Sequence, residues 1–154
     1  MYEYLRKSMD ETKEAYSCPF CDPEILERQG VLNGKLCHVL YCLTPSCNGN
    51  VLLIPKRHVL RFEELKQEEM NEMHEMIRKI AKVFPQLYKT DDYLLLQKNG
   101  KLSGQSVAHI HFHMIPTAEG GIQEISTALH KRTAISADEM ARRTEELRRA
   151  LKPI

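Results

Sequence analysis

No stretch of this chain stays apolar for the roughly 18 to 20 residues that a membrane-spanning helix needs. Its first sixteen residues, MYEYLRKSMDETKEAY, lack the apolar block of a secretory signal. Neither sign of charge dominates, since 22 Lys+Arg face 21 Asp+Glu for a formal net charge of +1. That balance excludes the strongly basic surface on which nucleic-acid binding usually rests. The chain also has no internal repeat, low-complexity tract or linker. These absences predict a cytoplasmic protein with no membrane or nucleic-acid partner. Five cysteines, an odd number, argue against a disulfide framework and leave metal binding or catalysis open. With 154 residues, 42% hydrophobic and 28% charged, the chain reads as one domain over residues 1–154.

The polar N-terminal stretch reads as helical, and Cys18-Pro19-Phe20-Cys21 as a loop or knuckle. Asn33-Gly34 between apolar residues is a strong hairpin signal, with the returning strand running from Cys37 to Leu43. Thr44 to Gly49 breaks that strand, and Val51 to Ile54 supplies a buried one. From about Glu63 to Leu87, Leu65, Met70, Met73, Ile77, Ile80 and Phe84 fall at helical spacing and predict the main amphipathic helix. Tyr93 to Gln97 reads as a short buried strand, Asn99 to Gly104 as a turn, and Ser106 to Ile115 as a strand of strict alternation. Ser136 with Glu139 three residues on is a capping box that opens a C-terminal helix, with Met140, Leu147 and Leu151 on one face. Hairpin-like strands around one long helix predict an α+β fold with an antiparallel sheet.

The chemistry concentrates in His109-Ile110-His111-Phe112-His113. On a strand the three imidazoles point one way, toward a cleft, while Ile110, Phe112 and Met114 point to the core. Imidazole adds little β-propensity, so a solvated polar face is a poor account of the pattern. A three-histidine metal site and imidazole catalysis both remain. A cupin-type site wants a nearby carboxylate, but Glu119 lies beyond Pro116. An amidohydrolase needs a barrel of roughly 250 residues, and this chain is too short.

The segment Gly104-Gln105-Ser106-Val107-Ala108-His109-Ile110-His111-Phe112-His113-Met114-Ile115-Pro116 resembles the signature of the histidine-triad (HIT) superfamily. Gly49-Asn50-Val51-Leu52-Leu53-Ile54-Pro55-Lys56-Arg57-His58 is similar to its strand ending in Pro-Lys-x-His, and Asn99-Gly100 precedes the triad turn. The match is nearest the Hint and Fhit-like branches. The resemblance implies a homodimer with sheets joined across the interface and a purine-type nucleotide as substrate. It makes His111 the nucleophile at the α-phosphorus, a task that suits neutral imidazole. It places His113, Gln105 and Ser106 around the phosphoryl group and leaving group, where donors stabilise negative charge, and Asn99 against the nucleotide. The implied activity is nucleoside 5′-phosphoramidate hydrolysis. Dinucleoside polyphosphate hydrolysis and a nucleotide-binding or scaffolding dimer are the alternatives.

The chain departs from the family at several places. Cys42 stands where an acidic or Asn ribose contact is common, and Asn50 where a histidine is usual. Lys98 replaces a common Asn, and Thr117 follows Pro116 in place of Arg. Cys18-x-x-Cys21 alone is compatible with half a zinc site, a reduced buried pair or a redox motif. By resemblance, His58 and His109 complete a structural zinc site with this pair, leaving His111 and His113 for chemistry. Cys37, Cys42 and Cys47 read as small buried or loop residues, and His38, His74 and His130 as structural or solvated.

Overall fold

A computed structural model describes residues 18–152; the helix expected at the N-terminus lies outside them. The element order is α1 (Pro23–Gln29), β1 (Gly30–Asn33), β2 (Cys37–Tyr41), β3 (Val51–Pro55), α2 (Gln67–Tyr88), β4 (Tyr93–Gln97), β5 (Phe112–Pro116), α3 (Gly121–His130) and α4 (Ala137–Leu151). The strands form one antiparallel sheet in the order β1-β2-β3-β5-β4. The fold is α+β, as the sequence predicts.

The Asn33-Gly34 turn returns β1 onto β2, with Asn33 opposite His38. The long helix α2 packs on one face of the sheet through Met73, Met76, Ile80, Val83 and Phe84. Burial of such side chains stabilises by about 1.5–3 kcal/mol each. Met70, Ile77 and Leu65, expected on that face, are only partly buried at its margin. Ser136 caps α4 by accepting from the Glu139 N–H at 3.2 Å, and Met140 and Leu147 enter the core. Arg143 of α4 donates to Tyr41 Oη at 3.0 Å and Asn48 Oδ1 at 2.6 Å, which ties the helix to the β2–β3 connection.

Two expectations change, and two helices appear that were not expected. The strand predicted from Ser106 forms ladder bonds only over Phe112–Pro116, because the preceding residues leave the sheet, where Ile110 N–H donates to Val59 O at 2.6 Å. β4 is half-exposed rather than buried: it is an edge strand, and Tyr93 and Leu95 stay 40% and 43% accessible. The helices α1 and α3 carried no periodic signal long enough to read; α1 has seven residues and starts on Asp22, whose carboxylate accepts from the Glu24 N–H.

The β1–β2 turn is held from outside the hairpin. Glu72 of α2 accepts from the backbone N–H groups of Lys35, Leu36 and Cys37 at 2.9, 2.7 and 2.6 Å. Gly34 permits this approach, since a Cβ there would lie 2.7 Å from Glu72 Oε2. Burial alone would raise the Glu72 carboxyl, but the three donors outweigh it and hold it below its ordinary value. A carboxyl depressed in the folded state stabilises above its unfolded pKa and loses that contribution as pH falls through the folded one. Glu72→Gln is therefore expected to cost about 2 kcal/mol at pH 7 in urea unfolding. The difference from the parent should shrink as the pH falls below about 4.5, and a difference independent of pH would contradict the carboxylate's role.

Candidate active site and metal-ligand cluster

The three histidines of the 109–113 segment take different surroundings. His109 is fully buried, and its Nε2 lies 2.9 Å from Pro55 O. A carbonyl oxygen only accepts, so Nε2 carries the hydrogen and Nδ1 carries the lone pair. That lone pair faces Cys18 Sγ at 3.4 Å and Cys21 Sγ at 3.6 Å. His58 Nδ1 lies 3.4 Å from Cys21 Sγ, and its ring meets the His109 ring edge-on. One ligand atom from each of the four residues lies within 4.8 Å of the others. Tetrahedral zinc with bond lengths of about 2.3 Å to sulfur and 2.0–2.1 Å to nitrogen separates such donors by about 3.5 Å. The observed spacings fit that ion. Burial, then the neighbouring Cys21, pushes the Cys18 thiol up to about 12, so a cation would have to displace its proton.

His111 uses the opposite nitrogen. Its Nδ1 donates to the carbonyl of His109, two residues back, at 2.8 Å. The hydrogen is thereby assigned to Nδ1, and Nε2 keeps its lone pair with no partner among the described residues. Burial is the main cause that lowers the ring's pKa to about 4. The imidazole is neutral and nucleophilic at pH 7. His113 follows on the same side, its ring 5.3 Å from that of His111, and burial takes it down to about 3.

A cavity of about 140 Å³ opens on these two rings, with Ser106, Phe20, Asn50 and Arg132 also on its wall. Ile25, Leu43, Leu52 and Leu129 give it an apolar side, with Gln29 and Thr44 also on the wall. Phe20 packs edge-on against His111 at 5.2 Å and against His109 at 5.9 Å. One aromatic ring thus separates the cysteine cluster from the cavity. A covered apolar wall beside a neutral histidine and a few polar groups suits a small ligand with a flat ring and a phosphate.

Residues 26–120 match the family model for the HIT domain. The chain belongs to the HIT family. It is 30% identical over 104 residues to adenosine 5′-monophosphoramidase HNT1 of Saccharomyces cerevisiae, covering 65% of this chain and 62% of that protein. It is 31% identical over 118 residues to bis(5′-adenosyl)-triphosphatase of Dictyostelium discoideum, covering 74% of this chain and 79% of that one. The matched segments span between 53% and 65% of the length of three of the curated relatives. Among solved structures, a zinc-bound histidine triad family protein from Mycobacterium smegmatis superposes with a TM-score of 0.68 at 24% identity, covering 90% of this chain and 95% of that one. That likeness shows the shared fold.

The structure brings Ser106, His111 and His113 of the HIT domain to the cavity, and it gathers its His58 and His109 with Cys18 and Cys21, which precede the matched residues. Gln105 and Asn99 do not line the cavity. The Gln105 amide accepts from Gly100 N–H at 2.7 Å and donates to Val107 O at 3.0 Å and Leu60 O at 3.3 Å. Asn99 accepts from Phe62 N–H at 3.1 Å and donates to Glu63 Oε2 at 3.0 Å. Both amides brace the turn that presents Ser106. Asn50, noted in the sequence only as a departure, is buried, donates to Ser46 Oγ at 2.9 Å and turns its Oδ1 to His113 Nδ1 at 3.4 Å. Its position two residues before Leu52, which pairs with His113, was the available signal. Nothing in the sequence marked Phe20 or Arg132 as cavity residues. Cys42 lies on the cavity wall, His38 is half-buried in β2, and His74 and His130 are exposed.

Proposed function

We propose that this chain is a nucleotide hydrolase or transferase acting at the α-phosphorus through a nucleotidyl intermediate on His111, with nucleoside 5′-phosphoramidate hydrolysis as its activity. The observation that carries this reading is the one-sided histidine: His111 Nδ1–H is held by the His109 carbonyl while Nε2 is left to the cavity. In the first step the Nε2 electron pair forms a bond to phosphorus as the bond to the leaving amine breaks. The departing electron pair goes to the amine nitrogen, which takes a proton from solvent. In the second step a water oxygen attacks phosphorus, the N–P bond returns its pair to Nε2, and the water loses a proton. The products are a nucleoside monophosphate and an amine. Splitting one displacement into two lowers each barrier. Ser106 and His113 stand beside the phosphoryl oxygens, and Gln105 and Asn99 hold the turn that carries Ser106.

The yeast relative's name supports the phosphoramidate reading. Dinucleoside polyphosphate hydrolysis is the second reading, favoured by the name of the Dictyostelium relative and by the arginine on the cavity wall. Cys18, Cys21, His58 and His109 would hold one zinc ion whose four protein ligands leave no position for water, so it would serve structure. The M. smegmatis neighbour is described as zinc-bound. The half-exposed edge of β4 fits a homodimer in which two copies pair their sheets.

Kinetics, adduct mass, metal content, melting temperature and sedimentation test this reading. Adenosine phosphoramidate should turn over, and His111→Ala should lower the rate by about a thousandfold or more with folding retained. Mass spectrometry of reactions quenched without acid should find a nucleoside-monophosphate adduct on His111, and near-normal turnover of the variant would refute the mechanism. Elemental analysis should find about one zinc per chain, and Cys18→Ser should lower the melting temperature more than the initial rate. A metal-free preparation with unchanged melting temperature would remove the zinc site. Sedimentation at micromolar concentration should show a dimer, and an 18 kDa species alone would count against it.

A further inference from the structure

The cavity extends across the sheet, well beyond the triad strand. Gly30 of β1 pairs with Leu40, Leu40 with Leu52, and Leu52 with His113, so one row of residues crosses four strands. At about 4.8 Å per strand, the backbone at the head of that row lies roughly 14 Å from the backbone of His113. Both His113 and Gln29, the residue just before Gly30, line the cavity. Gln29 ends α1 and follows Ile25 by four positions, which sets the two on one face of that helix.

Gln29 is only 4% exposed, an unusual setting for a glutamine. Arg148 pins the backbone on both sides of it, donating to Glu27 O at 3.0 Å and to Gly30 O at 2.7 Å. The side-chain amide has no hydrogen-bond partner among the described residues, and it lines the cavity. Burying an amide without a partner is costly, and a ligand that supplies the missing donor and acceptor recovers that cost. His111 and His113 lie at the opposite end, where the proposed reaction takes place. A 5′-nucleotide is laid out in the same way, with the phosphate at one end and the hydrogen-bonding edge of the base at the other.

We infer that Gln29 is a specificity-determining residue that reads the edge of the nucleobase, its amide accepting from one group and donating to the group beside it. This rests on the nucleotide reading of the same cavity. In adenine the two groups are the 6-amino group and an adjacent ring nitrogen, a pairing for which the glutamine amide has the right geometry. A purine without the amino group offers only the acceptor, and Gln29 Oε1 is then left buried and unpaired. A site that pairs with a substrate's donor rejects the analogue lacking it more strongly than an apolar pocket rejects a change of size. Ile25, one helical turn earlier, offers the ring an apolar contact.

The test is a double-mutant cycle between protein and ligand, read by calorimetry. The full chain and its Gln29→Met variant, which keeps the length of the side chain without its amide, are titrated with AMP, purine riboside 5′-monophosphate and 2′-deoxy-AMP. The parent should bind AMP about tenfold more tightly than the purine analogue, and the variant should show no such preference. Any preference between AMP and 2′-deoxy-AMP should be the same in both proteins. The variant should melt no lower than the parent, because the amide has no protein partner to lose; a structural glutamine would leave a lower melting temperature. Equal affinity of the parent for AMP and the purine analogue would overturn the assignment. So would a preference that survives in the variant, or a coupling to the 2′-hydroxyl in place of the amino group. A parent that shows the preference but leaves adenosine phosphoramidate intact would refute the hydrolase reading and uphold Gln29. A parent that binds none of the three nucleotides would overturn both.

Discussion

Ile110 and Met114 are fully buried and Phe112 nearly so, and their burial holds the intervening histidines on the other side of the backbone. The site depends on this locked alternation. A slip of one residue would turn three imidazoles into the core and three apolar side chains into the cavity. Ladder bonds hold Phe112 and His113, but His109 and His111 precede the ladder, where the backbone is free to bend. The bend lets the His109 carbonyl turn back onto the His111 ring. One backbone oxygen thereby settles which nitrogen of the second histidine is available, and the Pro55 carbonyl does the same for the first.

The cysteine cluster and the cavity share a wall. The single turn Pro19–Cys21 carries Phe20 between two cysteines, and that ring touches both His109 and His111. Fixing the cysteines fixes the ring, and the ring closes one side of the cavity. Order at the cluster and shape at the cavity are therefore mechanically linked.

Support for this arrangement comes from carboxylates and amides whose partners are backbone groups. Glu72 satisfies three N–H groups at the β1–β2 turn, and Gln105 bridges Gly100, Leu60 and Val107. Glu69 grips Arg57 through both oxygens while accepting from the Lys66 N–H, joining the end of β3 to the start of α2. His58 lies one residue beyond Arg57, so the same clamp positions a member of the metal-ligand cluster.

Local pattern alone determined the hairpin at Asn33-Gly34, the long helix, the β3 and β4 strands, the Ser136 cap and the alternation through the triad, because each depends on residues within one or two turns of one another. The resemblance carried by the Gly104–Pro116 segment supplied the family and named the Cys18, Cys21, His58 and His109 cluster. Tertiary structure decided what depends on distant partners. It made β4 a half-exposed edge, started β5 only at Phe112, and kept Asn99 and Gln105 off the cavity wall that Ser106 lines. It also brought Phe20, Asn50 and Arg132 to the cavity beside His111 and His113. No local pattern marked any of these three as a cavity residue. Their roles arise from where the sheet and the chain around α3 place them, and a charge or a ring acquires a function only from what the fold sets beside it.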